Sequence, residues 1–324
     1  MQNQTERFAA AKYIKEIGRG KEGARSMSEE QAQELYAAML DGRVSDLEMG
    51  GILLAMRIKG ETIDEIHGFL AAAEGRMQLL EAPRNSEYAP VIIPSYNGAR
   101  KRPNLTPLLA MLLARQGVPV LLHGVKADVG RVASADIWRA MDLKFAESAD
   151  EANQQLEKEG LSFITIDILA PAMHRLLEMR RVLGLRNSTH TLVKVLQPFI
   201  QPALRLTSYT HPEYQVMLDD YFTQKLRAQR GAAFLMRGTE GETVASTGRA
   251  QQITAYFEGE SSIVQEQVSQ LSSEPEDLPE GIDAESTARW TLELVRGERP
   301  IPQNIANQVD LIMKAAKAIK QQAN

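Results

Sequence analysis

Residues 91–124 run VIIPSYNGARKRPNLTPLLAMLLARQGVPVLLHG, and their pattern decides the fold. Val91-Ile92-Ile93-Pro94 is a short apolar run suited to a buried strand, and it leads into a turn containing Gly98. Leu105 to Gln116 is long and apolar enough for a helix. Val118 to Leu122 is a second buried strand, ending in His123-Gly124. Buried strands alternating with helices predict a mainly parallel sheet covered on both faces.

The alternation continues downstream. Helices are expected at Ala135–Met141, after Ser148 with its Glu151 partner, at His174–Leu183, Asn187–Leu196 and Gln215–Arg227. Strands are expected at Leu161–Ile168, Leu204–Thr207 and Ala232–Arg237. Ser261–Glu285, rich in Glu, Ser and Pro, is expected to be a loop. Ala284–Ala323 is read as two helices joined through Gly297-Glu298-Arg299-Pro300. Upstream, the first 80 residues predict short helices. Ser28 precedes Glu29-Glu30-Gln31, and Ser45 with Glu48 and Thr62 with Glu65 have capping-box spacing. Gly42 and Gly60 fall where helices should stop. Ile52, Leu53, Met56 and then Ile63, Ile66, Phe69, Leu70 recur at a helical period. The expected organisation is a helical domain over 1–80, a linker over 81–90 and an α/β domain over 91–324. Helices near 171–200 are expected to pack on the helical domain.

Composition narrows the function classes. With hydrophobic residues at 44% and charged residues at 24%, the chain is ordinary globular material. No apolar run reaches about 18 residues, so no membrane span is expected. Cysteine is absent, which excludes disulfides, thiolate metal sites and a cysteine nucleophile. Met1–Lys15 has no apolar stretch followed by a cleavage site, and a cytoplasmic location is expected. The net charge of −5 argues against a polyanion partner only if charge is spread evenly, and it is not. Arg100–Arg131 and His174–Arg205 together hold 12 of the 37 basic residues and 2 of the 42 acids, Asp128 and Glu178.

The N-terminal stretch Glu30–Ala73 contains Leu40-Asp41-Gly42 and Leu54-Ala55-Met56-Arg57-Ile58-Lys59-Gly60-Glu61-Thr62. It resembles the helical domain of the anthranilate phosphoribosyltransferase and pyrimidine nucleoside phosphorylase superfamily. Gly117–Gly124 resembles that family's strand ending in Lys-His-Gly, and Leu183-Gly184-Leu185-Arg186-Asn187 resembles its LGxRT segment. The resemblance spans nearly the whole chain. It implies a small N-terminal helical domain beside a larger α/β domain with a mainly parallel sheet.

The motifs for catalysis agree less well. In the transferases a Gly-Thr-Gly-Gly-Asp-Gly loop wraps a diphosphate, glycines giving close approach and amides giving donors. Here Pro94-Ser95-Tyr96-Asn97-Gly98-Ala99 stands in its place, with a proline lacking an amide donor and a bulky tyrosine. Asn104 and Thr106 keep an amide and a hydroxyl from the next motif. Leu122-His123-Gly124-Val125-Lys126 replaces Lys-His-Gly-Asn-Arg. The magnesium-holding Asp-Glu pair aligns with Thr243-Val244; Glu240 and Glu242 are the remaining metal candidates. These departures resemble the TrpD-like paralogues, a non-enzymatic branch. That resemblance implies a homodimer through the helical domain, binding single- and double-stranded DNA or RNA without sequence preference and needing no cofactor.

The candidate phosphate contacts follow from charge placement. Arg100, Lys101 and Arg102 lie beside the former phosphate loop and before a helix N-terminus. Arg186, His190 and Lys194 share one face if their helix is continuous. Lys126, Arg131 and Arg175 extend the basic set. Arg180 and Arg181 align with the transferases' substrate-facing Arg-Arg pair; such a pair also suits a solvated helix face. His123 has no Asp or Ser placed for a triad and is read as structural. Five scattered histidines give no metal spacing. Tyr96 is the sole aromatic interleaved with the basic clusters, so recognition of the backbone rather than base stacking is expected. A glycosyltransferase of altered substrate and a regulator binding a small phosphorylated ligand remain as alternatives.

Overall fold

The computed structural model describes residues 6–20, 22–268 and 277–323. The chain divides into two compact units: Met1–Gln78 with Ala170–Leu196, and Leu79–Leu169 with Gln197–Asn324. In chain order the first unit opens with α1 (Ala11–Ile17), α2 (Glu29–Leu40), α3 (Asp46–Lys59) and α4 (Ile63–Glu74). The second follows with β1 (Val91–Ser95), α5 (Thr106–Arg115), β2 (Val120–Gly124), α6 (Ser134–Ala140), α7 (Ala149–Glu159), β3 (Leu161–Thr165) and α8 (Ile166–Leu169). The chain returns to the first unit for α9 (Pro171–Leu183) and α10 (Thr189–Leu192). It finishes in the second with β4 (Ala203–Tyr209), α11 (Pro212–Lys225), β5 (Gly231–Arg237), β6 (Ile253–Phe257), β7 (Glu260–Gln265), α12 (Ala284–Arg296) and α13 (Gln303–Ala323).

Local chemistry sets the helix starts in the first unit. Ser28, Ser45 and Thr62 each form the full reciprocal capping box with the residue three positions on. Gly60 ends α3 at φ 81°, a conformation that suits glycine. Gly68 lets α4 lie close to α2, because a Cβ there would sit 2.2 Å from the Glu29 carbonyl oxygen. Tyr36 stacks on Phe69 at 4.9 Å between ring centres, and its hydroxyl meets Thr189 Oγ1 at 2.9 Å, which ties α10 to the same core. Glu65 serves as more than a capping residue. It is fully buried, accepts from the Thr62 and Met27 amides at 2.9 Å each, and pairs with Lys59 Nζ at 2.6 Å.

The second unit is built on one seven-stranded sheet in the order β3-β2-β1-β4-β5-β6-β7. β1 to β5 pair in parallel, and β6 and β7 add an antiparallel edge. Strand alternation sorts the core onto two faces. Val91, Ile93, Val120 and Leu122 pack with α5, α6, α12 and α13 residues such as Leu108, Trp138, Trp290 and Ile312. Ile92 and Leu121 point the other way, into a cluster with Leu156 and Leu169 of α7 and α8. Among the described residues no helix is long and apolar enough to cross a membrane.

Three elements differ from expectation. β3 stops at Thr165 and Ile166–Leu169 forms a helical turn, since a short apolar run does not distinguish strand from helix. The helix expected over Asn187–Leu196 is helical only at Thr189–Leu192. There the Asn187 side chain accepts from the Thr189 amide at 3.0 Å and donates to Leu176 O at 2.7 Å, binding the backbone in competition with helix. Ser261–Gln265 is strand β7, not loop. Glu258 and Gly259 both adopt positive φ (53° and 80°) in a two-residue hairpin turn. Residues 269–276 of the expected loop lie outside the described residues.

Replacing Glu65 by Ala would strand the Lys59 ammonium and the two amides it satisfies. Breaking a buried pair from one side costs on the order of 3–5 kcal/mol. Urea unfolding should show a loss of that size, against less than about 1 kcal/mol for an exposed pair such as Arg19–Glu16.

Candidate functional site

In an open parallel sheet, ligands bind outside the C-terminal strand ends where strand order reverses. Here that point is β1, which has β2 on one side and β4 on the other. The loop leaving β1 carries Tyr96, Asn97 and Gly98; the turn after β5 carries Glu240, Gly241 and Glu242. They meet. Glu242 Oε1 accepts from the Asn97 amide and from the Gly98 amide, both at 2.8 Å. Asn97 Nδ2 donates to Gly241 O at 2.5 Å, and Ser208 Oγ donates to the same oxygen at 2.9 Å. The Arg100 amide donates to Glu240 Oε2 at 3.3 Å. Glu242 is 1% exposed and Asn97 3%. Gly98 (φ 60°) and Gly241 (φ 91°) make the approach possible; a Cβ on Gly241 would fall 2.5 Å from Asn97 Nδ2.

The floor beneath this loop is polar and closed. Ser95 Oγ donates to Ser134 Oγ at 2.7 Å, and Asn104 Nδ2 donates to that same oxygen at 3.1 Å. Asn104 Oδ1 accepts from the Thr106 amide at 3.2 Å, at the start of α5. The sequence suggests phosphate contacts at Asn104 and Thr106. Both are instead buried: the Asn104 side chain is spent on holding the loop, and the Thr106 hydroxyl is enclosed away from solvent. Pro94 and Ser95 belong to β1 itself and are buried too.

Tyr96 fills the space the shortened glycine content leaves. Its ring meets His123 edge-on at 5.4 Å, and its hydroxyl lies 2.7 Å from His123 Nδ1. Burial and then the Glu242 charge raise the phenol well above its ordinary value. The phenol therefore stays protonated, and the contact joins two uncharged groups. Burial lowers His123 to about 3. It is a structural histidine.

The residues do not fit a magnesium site. Val244 is buried in the apolar core and offers no oxygen, and Glu242 is committed to amides. Among the described residues no three His, Asp or Glu side chains gather to hold a metal.

The basic residues form separate groups, one on each unit. On the second unit Arg100, Lys101 and Lys126 are exposed, and Arg102 and Arg131 are half-buried. Lys126 Nζ pairs with Asp167 at 2.7 Å; Arg131 donates to Gly98 O at 3.2 Å. Arg139 of α6 is a further member. It donates to Lys126 O at 2.6 Å, a link between loop and helix that has no spacing signal in the sequence. Two residues counted in the basic segments do not belong. Arg205 is 4% exposed inside β4. Arg115 ends α5, nine residues and roughly 14 Å from Thr106.

On the first unit Arg175 donates to Leu40 O at 2.5 Å, and Arg181 pairs with Glu178 at 2.8 Å. The stripe expected for Arg186, His190 and Lys194 required a continuous helix, and the chain is helical there only over Thr189–Leu192. His190 Nδ1 accepts from the Asn187 amide at 3.2 Å. Burial first, then the Arg186 charge, with smaller pushes from Arg180 and Lys194, lowers His190 to about 3. His190 is therefore a neutral centre among cations rather than a cation. Arg180 and Arg181 also sit in the last turn of α9, where positive charge favours the helix dipole.

Residues 11–74 match the helical bundle domain of a glycosyl transferase family, and residues 98–320 match that family's α/β domain. The chain belongs to this family, within its TrpD-like superfamily. It is 41% identical to YbiB, an uncharacterized protein of Escherichia coli strain K12, over 92% of this chain and 91% of that one. It is 27% identical to the anthranilate phosphoribosyltransferase of Methanopyrus kandleri, covering 85% and 81% of the two chains. The fold matches the anthranilate phosphoribosyltransferase of Thermus thermophilus with a TM-score of 0.72, at 23% identity over 95% of this chain and 89% of that one. The Saccharomyces cerevisiae enzyme in complex with PRPP and Mg matches at 0.70, with 13% identity over 97% and 89%.

The two desolvated histidines give the chain an acid-labile window. Each stays neutral when folded down to about pH 3 but takes up a proton near 6.5 when unfolded. The unfolded state then binds more protons, so stability is lost as pH falls from about 6.5 toward 3. His123 alone contributes a slope approaching ~1.4 kcal/mol per pH unit. Urea midpoints between pH 7 and pH 4 should fall less steeply in His123→Gln than in the native chain; equal slopes would remove His123 from the account.

Proposed function

We propose that the protein binds single- and double-stranded nucleic acid through the phosphate backbone, on a scaffold related to anthranilate phosphoribosyltransferase but without that transfer. The observation that carries this reading is the run of basic residues along α9 and the segment after it, where Arg175 and Arg181 are exposed and Arg180, Arg186 and Lys194 are partly exposed against the single acid Glu178. Such a run favours a polyanion, whose phosphates release counterions as they are neutralised. Arg100 and Lys101 present a second exposed cation group on the other unit. The side chains on offer suit phosphates, whose contacts position a partner without reading bases. The amide cradle that would hold a diphosphate is filled by Glu242, which speaks against transfer.

Affinity for unrelated oligonucleotides should fall steeply with salt, the log–log slope being about −0.9 per phosphate contact on duplex DNA. Reversing Arg100, Lys101, Arg180 and Arg181 to Glu should weaken binding to every sequence and flatten that slope. Fluorescence anisotropy across a salt titration checks both; no binding at low salt, or equal binding by the variant, defeats the reading. Coupled assays with anthranilate, phosphoribosyl pyrophosphate and Mg²⁺ should give no product. Turnover on the order of 1 per second, an ordinary enzyme rate, would overturn that.

The functional form we propose is a homodimer through the helical unit. Leu47, Leu54 and Ile58 are large exposed apolar residues on α3, spaced seven and four apart and so on one face. A twofold interface covers such a stripe with its own copy. Sedimentation at micromolar concentration should give a dimer for the native chain and a monomer for Leu54→Glu with Ile58→Glu.

A further inference from the structure

The Glu242 contact carries an inference that stands apart from nucleic-acid binding. Successive backbone amides converging on one oxygen form an anion-binding concavity. The loop after β1 has this arrangement at Asn97 and Gly98, and the Arg100 amide extends it. The anions it meets are not external. They are two carboxylates from one three-residue turn, Glu242 on the first two amides and Glu240 on the third. Asn97 Nδ2 and Ser208 Oγ clamp the intervening Gly241 carbonyl, so the turn is held at both carboxylates and between them. The close approach requires glycine at 241 and is aided by the positive φ of Gly98.

We propose that Glu242 is a built-in counterion that fills the amide cradle and closes this end of the sheet to small phosphates. An incoming phosphate needs the same N–H groups that Glu242 Oε1 holds, and two anions cannot share them. Glu242 is 1% exposed, so displacement requires the whole turn to lift, breaking the Gly241 bonds as well. The cradle is thus latent: it takes a phosphate-class anion once the carboxylate is removed. The loop is in turn pinned by the contact, which leaves Arg100 and Lys101 facing solvent.

The test uses inorganic pyrophosphate as probe, with calorimetry at fixed ionic strength on the full chain. The native protein should show no binding at millimolar pyrophosphate. Glu242→Ala should bind it, and Glu242→Ser, which also withdraws the acceptor oxygens from the two amides, should gain affinity as well. The gain expected is about tenfold or more, the scale of a charge-assisted hydrogen bond. Should Glu242→Ala fail to fold, Glu242→Ser decides the matter alone. The native chain gives an independent reading by amide NMR: the Asn97 and Gly98 resonances should not move when pyrophosphate is added. Movement of those resonances, pyrophosphate binding by the native chain equal to that of the variants, or folded variants that bind none, would each overturn the proposal.

Discussion

Backbone amides at the end of β1 must have a partner, and that requirement organises the rest of the molecule's upper rim. β1 lies where the strand order turns, with β2 on one side and β4 on the other, and the amides of its trailing loop are buried. Buried N–H groups without acceptors are costly. An enzyme of this fold can leave them to a substrate. Here Glu242 provides the acceptor permanently, reaching across 145 residues of chain from the turn after β5. Once that carboxylate is in place, Asn97, Ser208 and Gly241 fall into a single hydrogen-bonded unit. The neighbouring Ser95, Ser134, Asn104 and Thr106 close the floor.

The Tyr96–His123 pair belongs to the same solution. A glycine-rich loop would leave a void beneath the cradle if no diphosphate came to fill it. Tyr96 occupies that volume with an aromatic ring and gives its hydroxyl a buried hydrogen-bond partner on His123. Burial first, and then the nearby Glu242 charge, raises the phenol and keeps it protonated. Neither substitution works as well alone. A tyrosine without the histidine buries an unsatisfied hydroxyl, and a buried carboxylate without the amides is an unpaired charge.

Much of the fold is legible in the sequence because its signals are local. The three capping boxes need only four residues each, and every one forms. The β1-α5-β2 unit follows from runs of apolar residues bounded by turns. What the sequence hides depends on distant contacts or weak turn chemistry. Glu258-Gly259 makes a two-residue hairpin turn, yet glutamate is a poor marker for positive φ, so β6 and β7 leave little trace. α10 is cut short by side-chain bonds from Asn187 that periodicity does not register. Glu242 reads in sequence as a displaced metal ligand, because carboxylates near a lost carboxylate pair suggest metal; only the fold shows amides as its partners. Arg205 counts toward a basic segment in sequence and lies inside β4 in the structure.

An acidic chain can still carry polyanion-binding surfaces, because fields act locally and screening confines them to roughly 8 Å at physiological ionic strength. Removing Arg205 and Arg115 from the twelve cations weakens the sequence count but sharpens the geometry. The remaining ten group on two units, with Arg139 added beside Lys126. Burial first, and then the charges of Arg186, Arg180 and Lys194, keep His190 neutral, so it adds no positive charge of its own to the first unit's basic residues. A continuous helix would have set Arg186, His190 and Lys194 on one face; with helix confined to Thr189–Leu192 that regular spacing is lost, so the placement of charge here follows the local fold and not a helical repeat.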